Sequence, residues 1–428
     1  MADKAVAAVV AAAVNKVYTR ASVLDSVRHL LDCLEPRLAN IVRPGDRVFV
    51  KVNMGCSGSR DPESRLTSHP LFVEAIIKAL LDCGAKVSFG DDVARAGKYC
   101  ESIYQRTGMR DVATHTGAQL VDFVTTGARE VRGRLFVPRK YLVTNAYFEA
   151  DRVVNIANCR SHQGIGLSGA MKNMFGCVVG LRKLLIHNLF PGQPKAFGQV
   201  IADIYGTVRP DVSFLDLTTV AEGAGINIEI RPVGLLLGST DAVALDTVAA
   251  HTIGYDQLPL WITYFGGKFG LGSNSLDEIG IRGVDWSTVD KPRLKLPWMP
   301  SLKAPFYDRA TALINNTWMR PRPMIAADLC SGCGDCVDRC PVKCIAPASA
   351  SRPYRIDLVN CVDCGCCLKV CEEQAVNLTF VGIPRMLRRL ANRLPERVEP
   401  PVPNALDPAA PNLRSAGAST PIVGKELG

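Results

Sequence analysis

The chain of 428 residues has no uninterrupted apolar run of the roughly 18 to 20 residues that a spanning helix needs. Its one candidate, Ala5 to Val14, is short and Ala-rich, with Asp3 before it and Asn15-Lys16 after it. That stretch lacks the cationic start and small-residue cleavage site of a secretory signal, and no twin-arginine pair precedes it. It reads as a first core strand, and the protein as cytoplasmic. No strand end carries a phosphate-binding P-loop, a dinucleotide fingerprint or a flavin signature, so no nucleotide or flavin is argued from the sequence, and a bound organic cofactor is left open. Interleaved aromatic and basic repeats are also missing, which argues against nucleic acid as a partner.

Hydrophobic residues make up 47% of the chain and charged residues 21%. That balance belongs to a packed globular protein and excludes a disordered chain, a collagen-like fibre or a small disulfide scaffold. At about 150 residues per domain the length allows two or three domains. The net charge of +9, from 50 basic and 41 acidic residues, mildly favours anionic ligands.

Cysteine placement is more informative. Of the 16 cysteines, ten fall between Cys330 and Cys371, which suits a reduced compartment with a local metal site better than a disulfide framework. Cys330, Cys333, Cys336 and Cys340 form C-x2-C-x2-C-x3-C followed by Pro341, and Cys361, Cys364, Cys367 and Cys371 repeat the spacing. Three close thiolates hold three corners of a cuboidal cluster, while the fourth cysteine of each run reaches the other cluster. The expected ligand sets are therefore crossed: Cys330, Cys333, Cys336 and Cys371 for one 4Fe–4S cluster, Cys340, Cys361, Cys364 and Cys367 for the second. Gly332, Gly334 and Gly365 suit loops that wrap a cluster closely. A pair of zinc sites is the alternative, but nothing in zinc chemistry demands this spacing. The segment 326–380 resembles bacterial-type two-cluster ferredoxins, with Glu372 where that family usually has proline. Cys344 and Cys366 are surplus to the pattern and read as packing residues.

The first 300 residues alternate strand and helix patterns, predicting an α/β fold with a mostly parallel sheet and helices on both faces. Expected strands are 47–52, 86–90, 152–156, 212–216 and 233–237; expected helices are 22–34, 70–83, 195–205 and 241–252. In the second helix Phe72, Ile76, Leu80 and Leu81 form one apolar face. The domain plan is an α/β domain over 1–300, a proline-rich linker over 301–325 and a small α+β ferredoxin-like domain over 326–380. An amphipathic basic helix over 381–398 and a disordered Pro/Ala/Ser-rich tail over 399–428 follow. The helix, with Ile383, Met386, Leu387, Leu390 and Leu394 on its stripe, reads as docking on the protein's own core; a membrane surface is the alternative.

Polar residues gather at strand ends, where ligands of open α/β sheets bind. Lys51 and Asn53 follow one strand and Asp92 another. The richest stretch carries Arg160, His162, Lys172 and Asn173, and runs on to Arg182 and His187. Imidazoles, an amide and several cations supply proton donors and an anion clamp. The candidate catalytic residues are Lys51, His162, Lys172, Asn173 and His187. The candidate substrate-binding residues are Asn53, His69, Asp92, Arg160, Arg182, Asp216 and Glu222, the acidic ones orienting cations or capping turns.

Lys51-Val-Asn53, Ser68-His69-Pro70, Gly90-Asp91, His162 with Lys172-Asn173-Met-Phe-Gly176, Glu222-Gly223, and Ser239-Thr-Asp241 with Asp246 together resemble the domain of unknown function 362 family. The likeness covers about residues 5 to 285, with departures at Ile226 and Ala242, and implies the two-cluster segment that members often carry. More distantly, the histidine and lysine layout is similar to nickel-pincer lactate racemases.

The expected function joins the halves. Two 4Fe–4S clusters would pass single electrons from an external low-potential donor (ferredoxin, flavodoxin or a reductase) to a small anionic substrate in the α/β domain. The acceptor is a double bond or similar group, protonated by a histidine. The rivals are a non-catalytic electron carrier serving a partner enzyme and a racemase-like metal enzyme. The sequence leaves the oligomeric state open.

Overall fold

The computed structural model describes residues 6–55, 66–93, 98–133, 140–162, 165–179, 194–224, 227–255, 260–295, 321–338, 340, 344–347, 353–358, 360–361, 367, 371 and 373–380. The strands are β1 (Ala8–Val14), β2 (Arg47–Lys51), β3 (Lys86–Gly90), β4 (Gln119–Leu120), β5 (Ala128–Arg132), β6 (Lys140–Thr144), β7 (Arg152–His162), β8 (Gly166–Ser168), β9 (Val212–Ala224), β10 (Asn227–Ser239) and β11 (Ile279–Arg282). The helices among them are α1 (Arg20–Cys33), α2 (Leu38–Ile41), α3 (Pro70–Asp82), α4 (Lys98–Arg106), α5 (Met109–Thr116), α6 (Phe123–Thr126), α7 (Asn145–Glu149), α8 (Ala170–Asn173), α9 (Pro194–Thr207), α10 (Ala242–Thr252) and α11 (Trp261–Lys268).

One sheet in the order β11-β1-β10-β9-β7-β2-β3-β4, with β8 added to β7, forms the frame. From β9 to β4 all neighbours are parallel, as expected. On this path β10 departs: β9–β10 and β10–β1 are antiparallel, while β1–β11 is parallel again, so the sheet is mixed but mostly parallel. The reason is the short connection at 225–226, which can only return the chain alongside itself. The expected five-residue strands at 212–216 and 233–237 are the paired ends of this long hairpin, whose register breaks between Pro232 and Leu235.

Side-chain alternation sends the sheet's apolar residues to opposite faces. On β2, Val48 and Val50 join Phe72, Ile76 and Leu80 of α3 and the apolar faces of α1 and α5. Phe49 points the other way, into a core shared with α8, α9, α10 and α11. Helices therefore cover both faces. The α3 stripe is wider than the sequence suggests: Val73 and Ile77 are also buried, while Leu81 is only partly buried at its margin. Pro70 begins that helix and Gly84, at φ 80°, ends it, where a side chain would press on Pro44.

Beyond residue 320, β12 (Pro321–Ile325) pairs antiparallel with β15 (Val376–Phe380), and β13 (Ile345–Pro347) with β14 (Tyr354–Ile356). Helix α12 (Asp335–Asp338) lies between them in sequence. The last five residues of the expected linker are thus a strand of this unit. The linker boundary at 325 is corrected accordingly: the alternating Pro321 and Pro323 are tolerated because the two-stranded ribbon has a free edge. Residues 296–320, the expected basic helix at 381–398 and the expected tail at 399–428 lie outside the described residues.

Candidate functional site

Because β2, β3, β7 and β9 run parallel, their carboxyl ends share one edge of the sheet. Lys51 closes β2, and its Nζ lies 2.7 Å from Asp91 Oδ1, just past the end of β3. Both side chains are almost fully buried, at 1% and 3% exposure. The Asp91 carboxylate also accepts the Met54 N–H at 2.7 Å and the Asp92 N–H at 2.8 Å. The ammonium donates to Val52 O at 2.5 Å and stands 3.5 Å from Asn173 Oδ1. Asn173 Nδ2 in turn donates to Asn155 Oδ1 at 2.7 Å and to Ile156 O at 3.1 Å. Asn155 Nδ2 reaches Ser213 Oγ on β9 at 3.1 Å and Ala170 O at 3.0 Å. One network therefore ties β2, β3, β7, β9 and α8 together.

The Met-Phe-Gly that follows Asn173 has a steric reason. A Cβ on Gly176 would stand 2.4 Å from Lys51 Nζ and 2.5 Å from Asp91 Oδ1, so no other residue fits against the pair. Helix α8 is itself held by Asp246 on α10, whose carboxylate accepts the N–H groups of Ala170 at 2.6 Å and Met171 at 3.0 Å. Burial pushes the Asp246 carboxyl up to about 7, against the lowering by those two amides. Asp241 caps α10 through Val243 N and Ala244 N and also accepts the Ser273 N–H.

The other candidates are placed less simply. Asn53 donates to Asn158 Oδ1 at 2.6 Å and to Leu66 O at 3.1 Å. His69 Nδ1 accepts the Leu71 N–H at the start of α3, and its ring stacks on Tyr18 at 3.8 Å. The Tyr18 hydroxyl donates to Asp216 Oδ2 at 2.6 Å, joining two candidates through a residue the sequence reading missed. Asp92 is buried beside Asp91. Glu222 instead ties down a strap: it accepts the Lys295 N–H and lies 3.5 Å from Arg231 Nε.

His162 ends β7, which folds back through β8 with His162 opposite Gly166, at φ 84°. Helix α8 follows at once, so the nine residues between His162 and Lys172 are taken up by β8 with its turn and the start of α8. Both side chains are half-buried, and the His162 ring lies 6.2 Å from that of Phe197 on α9. Arg160 is half-buried on the same strand, its Nε enclosed without a hydrogen-bond partner. Arg182 and His187 lie outside the described residues. Among the residues missed, Asn155 had one signal: a polar residue inside an otherwise β-branched core strand.

In the cysteine-rich unit, Cys330, Cys333, Cys336 and Cys371 line one solvent-open recess of about 310 Å³, with Tyr354 on its wall. Gly332 and Gly334, at φ 71° and 85°, turn the loop that carries the first three. Burial pushes the Cys336 thiol up to about 11, aided by Cys333, Cys330 and Cys371. Cys371 Sγ accepts the Ala375 N–H at 3.2 Å. Cys340 and Cys361 gather elsewhere, around Cys344, and Cys367 is buried in the same small core. Cys344 is buried in that core, as expected of a packing residue, with its Sγ 3.4 Å from Cys340 Sγ. Cys364 and Cys366 lie outside the described residues.

The site and frame define an α/β protein whose mixed sheet carries a closed polar centre at its strand ends, followed by a cysteine-rich unit. The sequence profile of the domain of unknown function 362 (DUF362) matches residues 48–251. The chain is 30% identical over 240 residues to a thylakoid-associated protein of Synechocystis sp., covering 56% of this chain and 72% of that one. It belongs to the DUF362 family. It is also 36% identical over 59 residues, 13% of this chain and 79% of the other, to an uncharacterised protein from the rpl9–rpl11 intergenic region of Porphyra purpurea. A lactate racemase apoprotein from Thermoanaerobacterium thermosaccharolyticum aligns in structure at 16% identity and a TM-score of 0.37, covering 57% of each chain. That likeness is too loose to bear on activity. Among the described residues no helix is long and apolar enough to cross a membrane.

Proposed function

We propose that this protein is an iron–sulfur oxidoreductase that passes single electrons through two 4Fe–4S clusters to a small anionic substrate at the strand-end side of the α/β unit. The observation that carries the reading is the shared recess of Cys330, Cys333, Cys336 and Cys371. Cys371 comes from the second cysteine run, and its company there is what crossed ligation requires. Four thiolates around one tetrahedral zinc would stand within about 3.8 Å of one another, given zinc–sulfur bonds of about 2.3 Å. Among the described residues no three His, Cys, Asp or Glu side chains are gathered as one ion requires. A cage with iron at each corner takes its thiolates further apart than one zinc ion does. Cys340, Cys361, Cys364 and Cys367 are the proposed ligands of the second cluster, in a ferredoxin-like domain. The clusters, when bound, supply single-electron transfer. The cysteines need a reducing compartment, which supports a cytoplasmic protein drawing on a low-potential ferredoxin, flavodoxin or reductase.

His162 is the proposed proton donor and Lys172 and Arg160 the anion clamp, since all three are only half-buried. Lys51 and Asn173 act from beneath, positioning α8 through the buried network rather than touching substrate. Reduced protein, incubated without oxygen with a small-molecule extract of its own cells, should change the mass of a particular anion. His162→Ala should slow that change by about 10²- to 10⁴-fold while both clusters remain reducible.

A second reading, a non-catalytic electron carrier, is favoured by one observation: Lys51 already has Asp91, Val52 O and Asn173 as partners. Full electron delivery by His162→Ala, with loss in Cys330→Ser, would select the carrier.

A further inference from the structure

The central strands β7 and β9 fall out of register near their carboxyl ends. Asn158 of β7 stands opposite Asp216 of β9, but Arg160 stands opposite Ala221, so Cys159 alone faces the stretch 217–220. Such a bulge disrupts the ladder locally, and bulges are common next to active sites. Two sealed polar atoms lie at this one. Arg160 Nε and Thr219 Oγ1 are both shut off from solvent, and neither has a hydrogen-bond partner. Strands β9 and β10 stay in register from Thr219 to Ala221, so pleat alternation puts those two side chains on one face. Arg160, opposite Ala221, shares that face. Strands lie about 4.8 Å apart and two residues advance about 6.6 Å, so Thr219 and Arg160 start about 8 Å apart. One small group between their side chains fills that gap.

The acids of β9 do not supply the missing acceptor. Asp216 accepts the Tyr18 hydroxyl at 2.6 Å and the Thr218 N–H at 2.9 Å. Glu222 is on the opposite face, where it accepts the Lys295 N–H and meets Arg231. Among the described residues the Arg160 guanidinium has no ion pair. A buried donor left unmet is costly, the more so on a charged group, and a ligand that brings the acceptor removes the cost.

We propose that the β7–β9 bulge is an oxyanion seat, in which the Arg160 guanidinium and the Thr219 hydroxyl donate to a carboxylate or phosphate group. The seat is the charged end of the substrate site proposed above and rests on that reading. Thr219 adds a neutral, directed donor to the charge of Arg160, so the anion is held by geometry as well as by attraction.

The test titrates full-length protein calorimetrically with inorganic phosphate and, separately, with acetate, at constant ionic strength. Wild type should bind about one anion per chain. Arg160→Gln should weaken binding about 100-fold and Thr219→Val about ten-fold, as fits donors to a charged group. Arg231→Gln, which removes a cation from the opposite face, should leave it unchanged. Melting curves without anion separate the seat from the scaffold: Thr219→Val removes an unmet hydroxyl, so its midpoint should hold or rise by about 2 °C. Either anion supports the seat, and the tighter one tells a phosphorylated substrate from a carboxylic acid. The seat is overturned by a wild type that binds neither anion, by undiminished binding in Arg160→Gln and Thr219→Val, or by an equal loss in Arg231→Gln. A clearly lowered Thr219→Val midpoint also overturns it, because the hydroxyl would then serve the fold. Protein that binds the anion as expected but takes up no iron fails the oxidoreductase reading and leaves the seat standing.

Discussion

The strand-end centre buries its polar groups, whereas of the four recess cysteines only Cys336 is buried, and the two regions are balanced in opposite ways. Lys51 and Asp91 neutralise each other, and the remaining bonds come from Met54 N, Asp92 N, Val52 O and Asn173. The centre is closed within the protein. The recess is not: Cys330, Cys333, Cys336 and Cys371 face one another, and each thiol makes ionising Cys336 harder. Thiolates crowded this way need a cationic group between them, whereas a paired lysine and aspartate need none. One region is thus closed on itself, and the other is where we propose that a cluster binds.

Four expected outcomes would break or sharpen that contrast. The largest is in Cys371→Ser, which should lose about half of the iron, namely the cluster held by Cys330, Cys333 and Cys336. Paramagnetic resonance should show the Cys361 cluster retained; loss of that cluster instead would mean each run binds its own.

Next comes Lys51→Met, which leaves the Asp91 carboxylate buried without its cation. Breaking a buried pair costs about 3–5 kcal/mol, so thermal unfolding of the α/β unit should drop by roughly 10 °C. Adding Asp91→Leu should recover much of that loss, since no charge is then left unpaired. If iron content also falls in Lys51→Met, the two regions are not independent.

Gly176→Ala should cost about 1–3 kcal/mol, because its methyl overlaps Lys51 and Asp91 and the pair must shift. Chemical denaturation measures this directly; an unchanged midpoint would show that the centre is loosely packed.

The last outcome is in the pH dependence. Burial raises the Asp246 carboxyl from the ordinary 3.8 to about 7, so between those values the folded protein binds more protons than the unfolded one. Its contribution is therefore fully present below about pH 3.8 and is lost as pH rises through about 7. Asp246→Asn should gain on wild type as pH rises over that window, in paired melting curves. A constant difference would place the Asp246 titration outside it.

Much of the frame was legible in the residues. The alternation of β-branched runs with helical stripes marked both core faces, and strand-end polar residues pointed to Lys51, Asn53 and Asn173. Partnerships across long sequence gaps were not legible. Tyr18 joins His69 to Asp216 only because the turn after β1 reaches β9 and the start of α3 in space. Glu222, expected near substrate, meets Lys295 because the strap after α11 crosses the long hairpin.

By itself, the sequence determined what depends on spacing along the chain. Two C-x2-C-x2-C-x3-C runs, the proline that opens α3 and the glycine that ends it act within one or two turns, where covalent geometry limits the choices. Tertiary structure decided what depends on which segments become neighbours. It set β10 antiparallel within a mostly parallel sheet, since a short connection after β9 must fold back. It turned Lys51 from an expected substrate contact into half of a sealed ion pair, since Asp91 arrives on the adjacent parallel strand. It also set Cys344 beside Cys361, because thiols that are not neighbours in sequence meet only when the chain folds.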